Sequence, residues 1–205
     1  MYFSFTEQIL LIFLIFAAGI SFAYEVWKRL RIVMKGSGSL PLDRIKDRLW
    51  RTFKEVFIHE RVIRDRFWPG LMHALVFWGF LVFGLVTVDH FTIGFGISLF
   101  PEAAKHVYTI VAISFAFMVM IGILSLAYRR FIIRPPTLGN LSMTSGLVTI
   151  FITLLMVSYI FGEITLPVNL EKINWWLHSL IILAFLVLIP RSKHLHLVFA
   201  PFNIF

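Results

Sequence analysis

Along the chain, polar positions gather in short clusters, and the stretches between them are almost wholly apolar. Residues 9–24 form the first such stretch, ended by Glu25, Lys28, Arg29 and Arg31. The next three, 67–88, 107–128 and 141–162, contain no Asp, Glu, Lys or Arg. A fifth, 173–189, stops at Pro190-Arg191. About 20 residues of helix cross the roughly 30 Å hydrocarbon layer of a bilayer. The pattern therefore predicts an all-α bundle of five transmembrane helices in a single membrane domain, over about residues 5–30, 67–90, 103–129, 141–163 and 172–197.

The loop between the first two helices, residues 31–66, has a different pattern. Leu42, Ile45, Leu49, Phe53, Val56 and Phe57 recur at three- and four-residue steps among charges of both signs. This predicts an amphipathic helix over 41–66, preceded by a flexible hinge at Lys35-Gly-Ser-Gly-Ser39. Such a helix either lies on membrane lipid, docks a cytoplasmic partner or simply orients the bundle.

Composition agrees with the pattern: 59% of residues are hydrophobic and the mean hydropathy is +0.87, well beyond soluble globular domains. The net charge of +8 matters less than where it sits. Seventeen Lys and Arg fall in 28–66, 129–134 and 191–193, against two, Lys105 and Lys172, on the other side. The positive-inside rule then places the N-terminus outside and the C-terminus in the cytoplasm, as a multi-pass protein of the inner (cytoplasmic) membrane. Basic residues follow the first apolar run instead of preceding it, which argues against a signal peptide. There is no cysteine, so iron–sulfur clusters, thiolate zinc sites and covalently attached heme are excluded within this chain. No P-loop, dinucleotide fingerprint or internal repeat is present, and nothing in the pattern calls for nucleic acid.

Ionisable residues inside a membrane are costly and mark candidate sites. Here they are histidines. His73 lies one turn into the second helix and His178 one turn into the fifth, while His196 follows that helix. A continuous helix would put His178 and His196, 18 residues apart, on one face about 27 Å from each other. By topology His73 and His196 share the cytoplasmic level, and His178 shares the outer level with His90. Imidazoles at two levels on facing helices are what a pair of b-type hemes requires. Hydrogen bonding between helices is the simpler use of any one of these histidines. The partner of His178 stays open among His90, His106 and none; His194 is an alternative ligand to His196, and His59 is expected to be solvated.

The stretches Pro69-Gly-Leu-Met-His-Ala-Leu-Val-Phe-Trp-Gly-Phe, Tyr128-Arg-Arg-Phe, and Trp175-Trp-Leu-His through Pro201 resemble the gamma-subunit family of respiratory nitrate reductase, a five-helix b-type cytochrome. They are closer still to membrane cytochrome subunits of heterodisulfide reductase-like iron–sulfur complexes. The resemblance implies heme b, one or two per chain, with His73 and His196 as axial ligands of the cytoplasmic-side heme. It implies His178 at the outer heme, but Phe83 stands where the family has the second outer ligand. A lysine beside the quinone site of that family is similar in placement to Lys105, so the implied quinone site comprises Lys105 and His178; an interfacial role explains Lys105 equally well.

The function expected on these grounds is a heme b subunit that carries electrons between a cytoplasmic iron–sulfur protein of the heterodisulfide reductase type, with or without a flavoprotein, and menaquinone or ubiquinone. Arg129, Arg130 and Arg191 lie at the depth where heme propionates would need cations, although positive-inside flanking explains them without heme. The rival is a cofactor-free membrane anchor for a cytoplasmic enzyme. A transporter is disfavoured by the lack of midplane carboxylates.

Overall fold

The computed structural model describes residues 3–36, 43–164 and 166–205, and among them there is no strand. Five helices are long and apolar enough to cross a membrane: α1 (Phe5–Val33), α4 (Phe67–Ile93), α5 (Glu102–Tyr128), α6 (Met143–Gly162) and α7 (Val168–Leu188). Two short helices, α2 (Ile45–Thr52) and α3 (Glu60–Asp65), lie between α1 and α4, and α8 (His196–Ile204) follows α7. The all-α bundle expected from the pattern is present.

The long helices pack in the order α4–α5–α6–α7–α1, each against the next. Lipid contributes no hydrophobic drive between helices, so close approach depends on small residues. Ala74, Ala112 and Ala116 are fully buried, and Gly79 of α4 meets Val119 of α5. At Gly122 even a Cβ would lie 2.8 Å from the Met72 carbonyl, so only glycine lets α5 approach α4 there. The outer faces carry Phe13, Phe16, Ile20, Phe117, Ile121 and Ile150, all exposed from the protein, as a surface solvated by acyl chains requires.

Polar clamps sit at the two ends of α1. Ser4 and Glu7 form a capping box at its start, and Glu7 also pairs with Lys172 at 2.7 Å. At the end rich in basic residues, called the basic end below, Arg191 reaches Ser21 Oγ at 2.9 Å and Glu25 at 3.6 Å. Together these pin α1 along α7.

Two helical expectations are corrected. The amphipathic helix does not run to residue 66. A π-helical turn, Phe53–Phe57, follows α2, and at His59 the backbone turns left-handed (φ 58°) before α3 begins. The start of that segment and the centre of the expected hinge, residues 37–42, lie outside the described residues. The fifth helix also stops short. Pro190 lacks an N–H and its ring would crowd the preceding turn, so α7 gives way to a 3-10 turn at Ile189–Arg191 and to extended backbone at Ser192. A second 3-10 turn, Lys193–Leu195, leads into α8. The 18-residue argument for a shared face of His178 and His196 therefore does not apply.

Instead of projecting away, α8 folds back against α2 and the π-helical turn. Arg48 donates to the Phe205 carbonyl at 2.9 Å, and Trp78 Nε1 of α4 donates to the Phe57 carbonyl at 2.7 Å. The loop and the C-terminal segment together cover the basic end of the bundle.

Candidate functional site

Four histidines meet at that end, His59 buried, His73 and His194 half-buried and His196 exposed. His73 lies in the second turn of α4, and its ring centre is 6.0 Å from that of His196, with the planes 35° apart. Two imidazoles on opposite sides of one metal ion stand at about this separation: two metal–nitrogen bonds of about 2.0–2.1 Å plus roughly 1.1 Å from nitrogen to ring centre on each side give about 6 Å. His196 Nδ1 lies 2.8 Å from the Lys193 carbonyl, which only a ring N–H can satisfy. The proton of a neutral His196 therefore sits on Nδ1, and Nε2 is bare, as a metal ligand needs. His73 Nδ1 is buried with no hydrogen-bond partner among the described residues.

His194 lies 6.1 Å from His196, ring centre to ring centre, and its Nδ1 is 3.1 Å from Ser192 Oγ. Burial first, then the neighbouring His196 and Lys193, pushes its pKa down to about 4, so it is neutral near pH 7. His59 corrects another expectation. Far from solvated, it is 5% exposed, with its ring 5.2 Å from His73 and 4.8 Å from Phe77. Burial lowers its pKa, opposed by the Phe57 carbonyl beside it and reinforced by His196. No glycine or proline announces the chain reversal at His59. The one hint was Val56, Phe57 and Ile58 in succession, since three adjacent apolar residues cannot share one helical stripe.

At the opposite end, His178 of α7 is buried and its ring centre lies 5.0 Å from that of His90 of α4. Its Nδ1 is 2.7 Å from Ser158 Oγ, which in turn is 2.7 Å from the Leu154 carbonyl. A hydroxyl has one proton. Given to Leu154, it leaves Ser158 Oγ to accept from His178 Nδ1–H, so His178 Nε2 is bare. The same logic disposes of His90 differently. Ser179 donates to the Trp175 carbonyl at 2.8 Å and so accepts from His90 Nε2–H, also at 2.8 Å, while the His90 ring stacks 4.8 Å from Trp175.

The two levels thus differ. The pair His73–His196 has the spacing and a free nitrogen for a shared metal ion. His178 is held as a ligand would be, but His90 has its Nε2 committed and stands closer than two imidazoles on opposite sides of one metal ion would. Phe83 packs edge-on against Tyr159 at 5.1 Å, and Tyr159 lies 6.5 Å from His178. His90 follows Phe83 by seven residues, two turns along the same face of α4. His106 is exposed on α5. Lys105, partly exposed, forms no hydrogen bond or ion pair among the described residues, although its charge acts on Glu163. Desolvation raises the Glu163 pKa, while Tyr159 and Lys105 oppose that shift.

Two of the three arginines at the basic end are already engaged. Arg130 holds the Leu138 and Asn140 carbonyls, and Arg191 holds Val187, Ser21 and Glu25. Among the described residues no three His, Asp or Glu converge as a metal site made by protein alone. Paired imidazoles suit an ion whose remaining positions a macrocycle supplies. The two rings come from different segments, His73 from α4 and His196 from the start of α8, and they are brought together across the basic end of the bundle.

Comparison with known proteins leads to redox chemistry. The probable iron-sulfur-binding oxidoreductase FadF of Bacillus subtilis is 27% identical over 215 residues, covering 90% of this chain and 30% of the relative. The EtfAB:quinone oxidoreductase of Syntrophomonas wolfei is 25% identical over 227 residues, covering 89% of this chain and 31% of the relative. The chain thus spans less than a third of the length of either. No protein-family model matches, and no solved structure matches. Neither relative is a nitrate reductase subunit by name, so the likeness lies with iron–sulfur and quinone oxidoreductases and not with the nitrate reductase gamma subunit in particular.

Proposed function

We propose that this chain is the b-type cytochrome portion of a membrane-bound oxidoreductase and carries electrons between a cytoplasmic iron–sulfur partner and membrane quinone. The observation that supports it most is the pair His73–His196, 6.0 Å apart between ring centres, with Lys193 holding the proton of His196 away from the free nitrogen. The names of the relatives support both ends of the proposed path, one being iron-sulfur-binding and the other quinone-linked.

A bound heme would supply reversible one-electron chemistry at its iron. The residues of this chain do the rest. His73 and His196 would hold the iron, and α2, α3 and α8 shelter the His59 and His73 side of that level while His196 stays exposed. His178, oriented by Ser158, either ligates a second heme or lines the quinone pocket, with Lys105 at its rim. Because His90 is bound to Ser179, one heme per chain fits the described side chains better than two. The distribution of Lys and Arg puts the basic end in the cytoplasm. The His73–His196 level then faces a partner of the heterodisulfide reductase type, alone or with a flavoprotein, and the His178 level faces menaquinone or ubiquinone.

The test is a reduced-minus-oxidised absorption spectrum of the purified chain, with heme quantified per polypeptide as its pyridine complex. A b-type band at one heme per chain is expected, lost in His73→Ala and in His196→Ala. A folded, colourless wild-type chain would replace the cytochrome with the anchor.

A further inference from the structure

His59 belongs to none of the roles above, yet the fold goes to some length to bury it. The left-handed backbone at this residue, which histidine adopts more readily than most, turns the amphipathic segment back on itself. Three contacts hold the reversal in place. Trp78 of α4 donates to the Phe57 carbonyl at 2.7 Å. Lys54 and Glu60 pair across the break at 3.6 Å. Gly70 lies flush against α3, where a Cβ would come within 2.6 Å of the Val62 carbonyl.

The outcome is a ring wedged between Phe77 and His73, 5% exposed, whose Nδ1 has no hydrogen-bond partner among the described residues. His73 Nδ1 is orphaned in the same way. Buried polar groups are nearly always paired, so two orphans side by side call for a common explanation. The rings stand 5.2 Å apart between centres and 50° apart in plane. Subtracting roughly 1.1 Å to each nitrogen leaves about 3 Å, a hydrogen-bond length. The χ2 torsion of histidine is soft, so rotation of the two rings is the adjustment that a bond between them would require.

We infer that His59 is the positioning residue of His73: its bare Nδ1 accepts a hydrogen bond from His73 Nδ1–H, which fixes the tautomer and leaves His73 Nε2 for the heme iron. The inference rests on the heme function proposed for this chain. It also gives the loop between α1 and α4 a part in the redox site. Donating that hydrogen bond to His59 would make His73 the more basic ligand, which favours the oxidised iron and holds the midpoint potential down.

The test is potentiometric titration of the heme in the full purified chain for wild type, His59→Gln and His59→Phe. Glutamine keeps an acceptor, whereas phenylalanine keeps the ring volume without one. The expected result is a midpoint near wild type for His59→Gln and a more positive one for His59→Phe. That shift favours ferrous iron by up to about tenfold at fixed potential, or about 59 mV for one electron. Heme content stays at the wild-type level in both. Equal potentials in all three chains, with heme retained, would overturn the inference and leave the cytochrome standing; a wild-type chain without heme would overturn both. If His59→Phe does not fold, redox-difference infrared spectra of the wild-type chain with ¹⁵N-labelled histidine decide the matter. Two ligands with Nδ1–H donated to acceptors are expected, and a ligand with a free Nδ1–H counts against His59.

Discussion

Ser158→Ala tests the hydrogen-bond logic at the opposite end of the bundle. The serine hydroxyl has two uses here, donating to the Leu154 carbonyl at 2.7 Å and accepting from His178 Nδ1–H at 2.7 Å. Ser158 and His178 are both buried. Alanine returns the Leu154 carbonyl to its ordinary helical bond and gains about 0.5 kcal/mol of helix propensity. Against this, His178 Nδ1–H is left without an acceptor, at about 1–3 kcal/mol for a buried donor, with membrane values at the lower end of that range. The orphaned donor wins, for a net loss of about 1 kcal/mol. For a domain of this size that lowers Tm by about 2–4 °C. The backbone of the same turn stays anchored, because Asn174 Nδ2 donates to the Ser158 carbonyl at 2.9 Å, so the effect is local. The assay is thermal unfolding in one detergent, followed by tryptophan fluorescence, with Ser158→Thr as the control that keeps the hydroxyl. Equal Tm values for the alanine and threonine chains would show that Ser158 is not the acceptor and that the tautomer assigned to His178 is wrong.

Replacing Gly122 with leucine drives a side chain into the Met72 carbonyl, a backbone atom that cannot yield. The expected cost is at least about 2 kcal/mol and a lower folded yield by size-exclusion chromatography. Gly84→Leu, where nothing lies within 4 Å, should leave both unchanged. Pro190→Ala restores the missing donor and favours continuation of α7, which would carry His196 away from His73; heme content should fall while the helical circular dichroism holds or rises. Trp78→Phe loses the bond to the Phe57 carbonyl and should raise protease cleavage in 53–60 without affecting α4–α7.

The five membrane helices were legible because each apolar stretch had to satisfy its own backbone and reach across a fixed thickness, constraints that act locally and leave a plain trace in the sequence. The basic clusters and the histidines on the second and fifth helices were legible for the same reason, since charge and imidazole in an apolar run have few uses. The neighbours of those histidines were not. Ser158 and Ser179 determine which nitrogen of His178 and of His90 carries the proton, yet a serine within a helix has no sequence mark that separates a cross-helix acceptor from a back-bonded hydroxyl. His59 was read as solvated because helical periodicity knows nothing of a reversal held by Trp78 and Gly70, residues of another helix. Topology put His196 at the level of His73, but the count of turns that set it on one face with His178 fails because the helix breaks after Leu188, and it is α8, packed on the loop, that brings its ring to His73. The sequence by itself therefore determined which segments enter the membrane and which residue types stand at each level. Tertiary packing alone decided which rings face one another and which nitrogen is free, because those depend on contacts between segments that sequence distance does not encode.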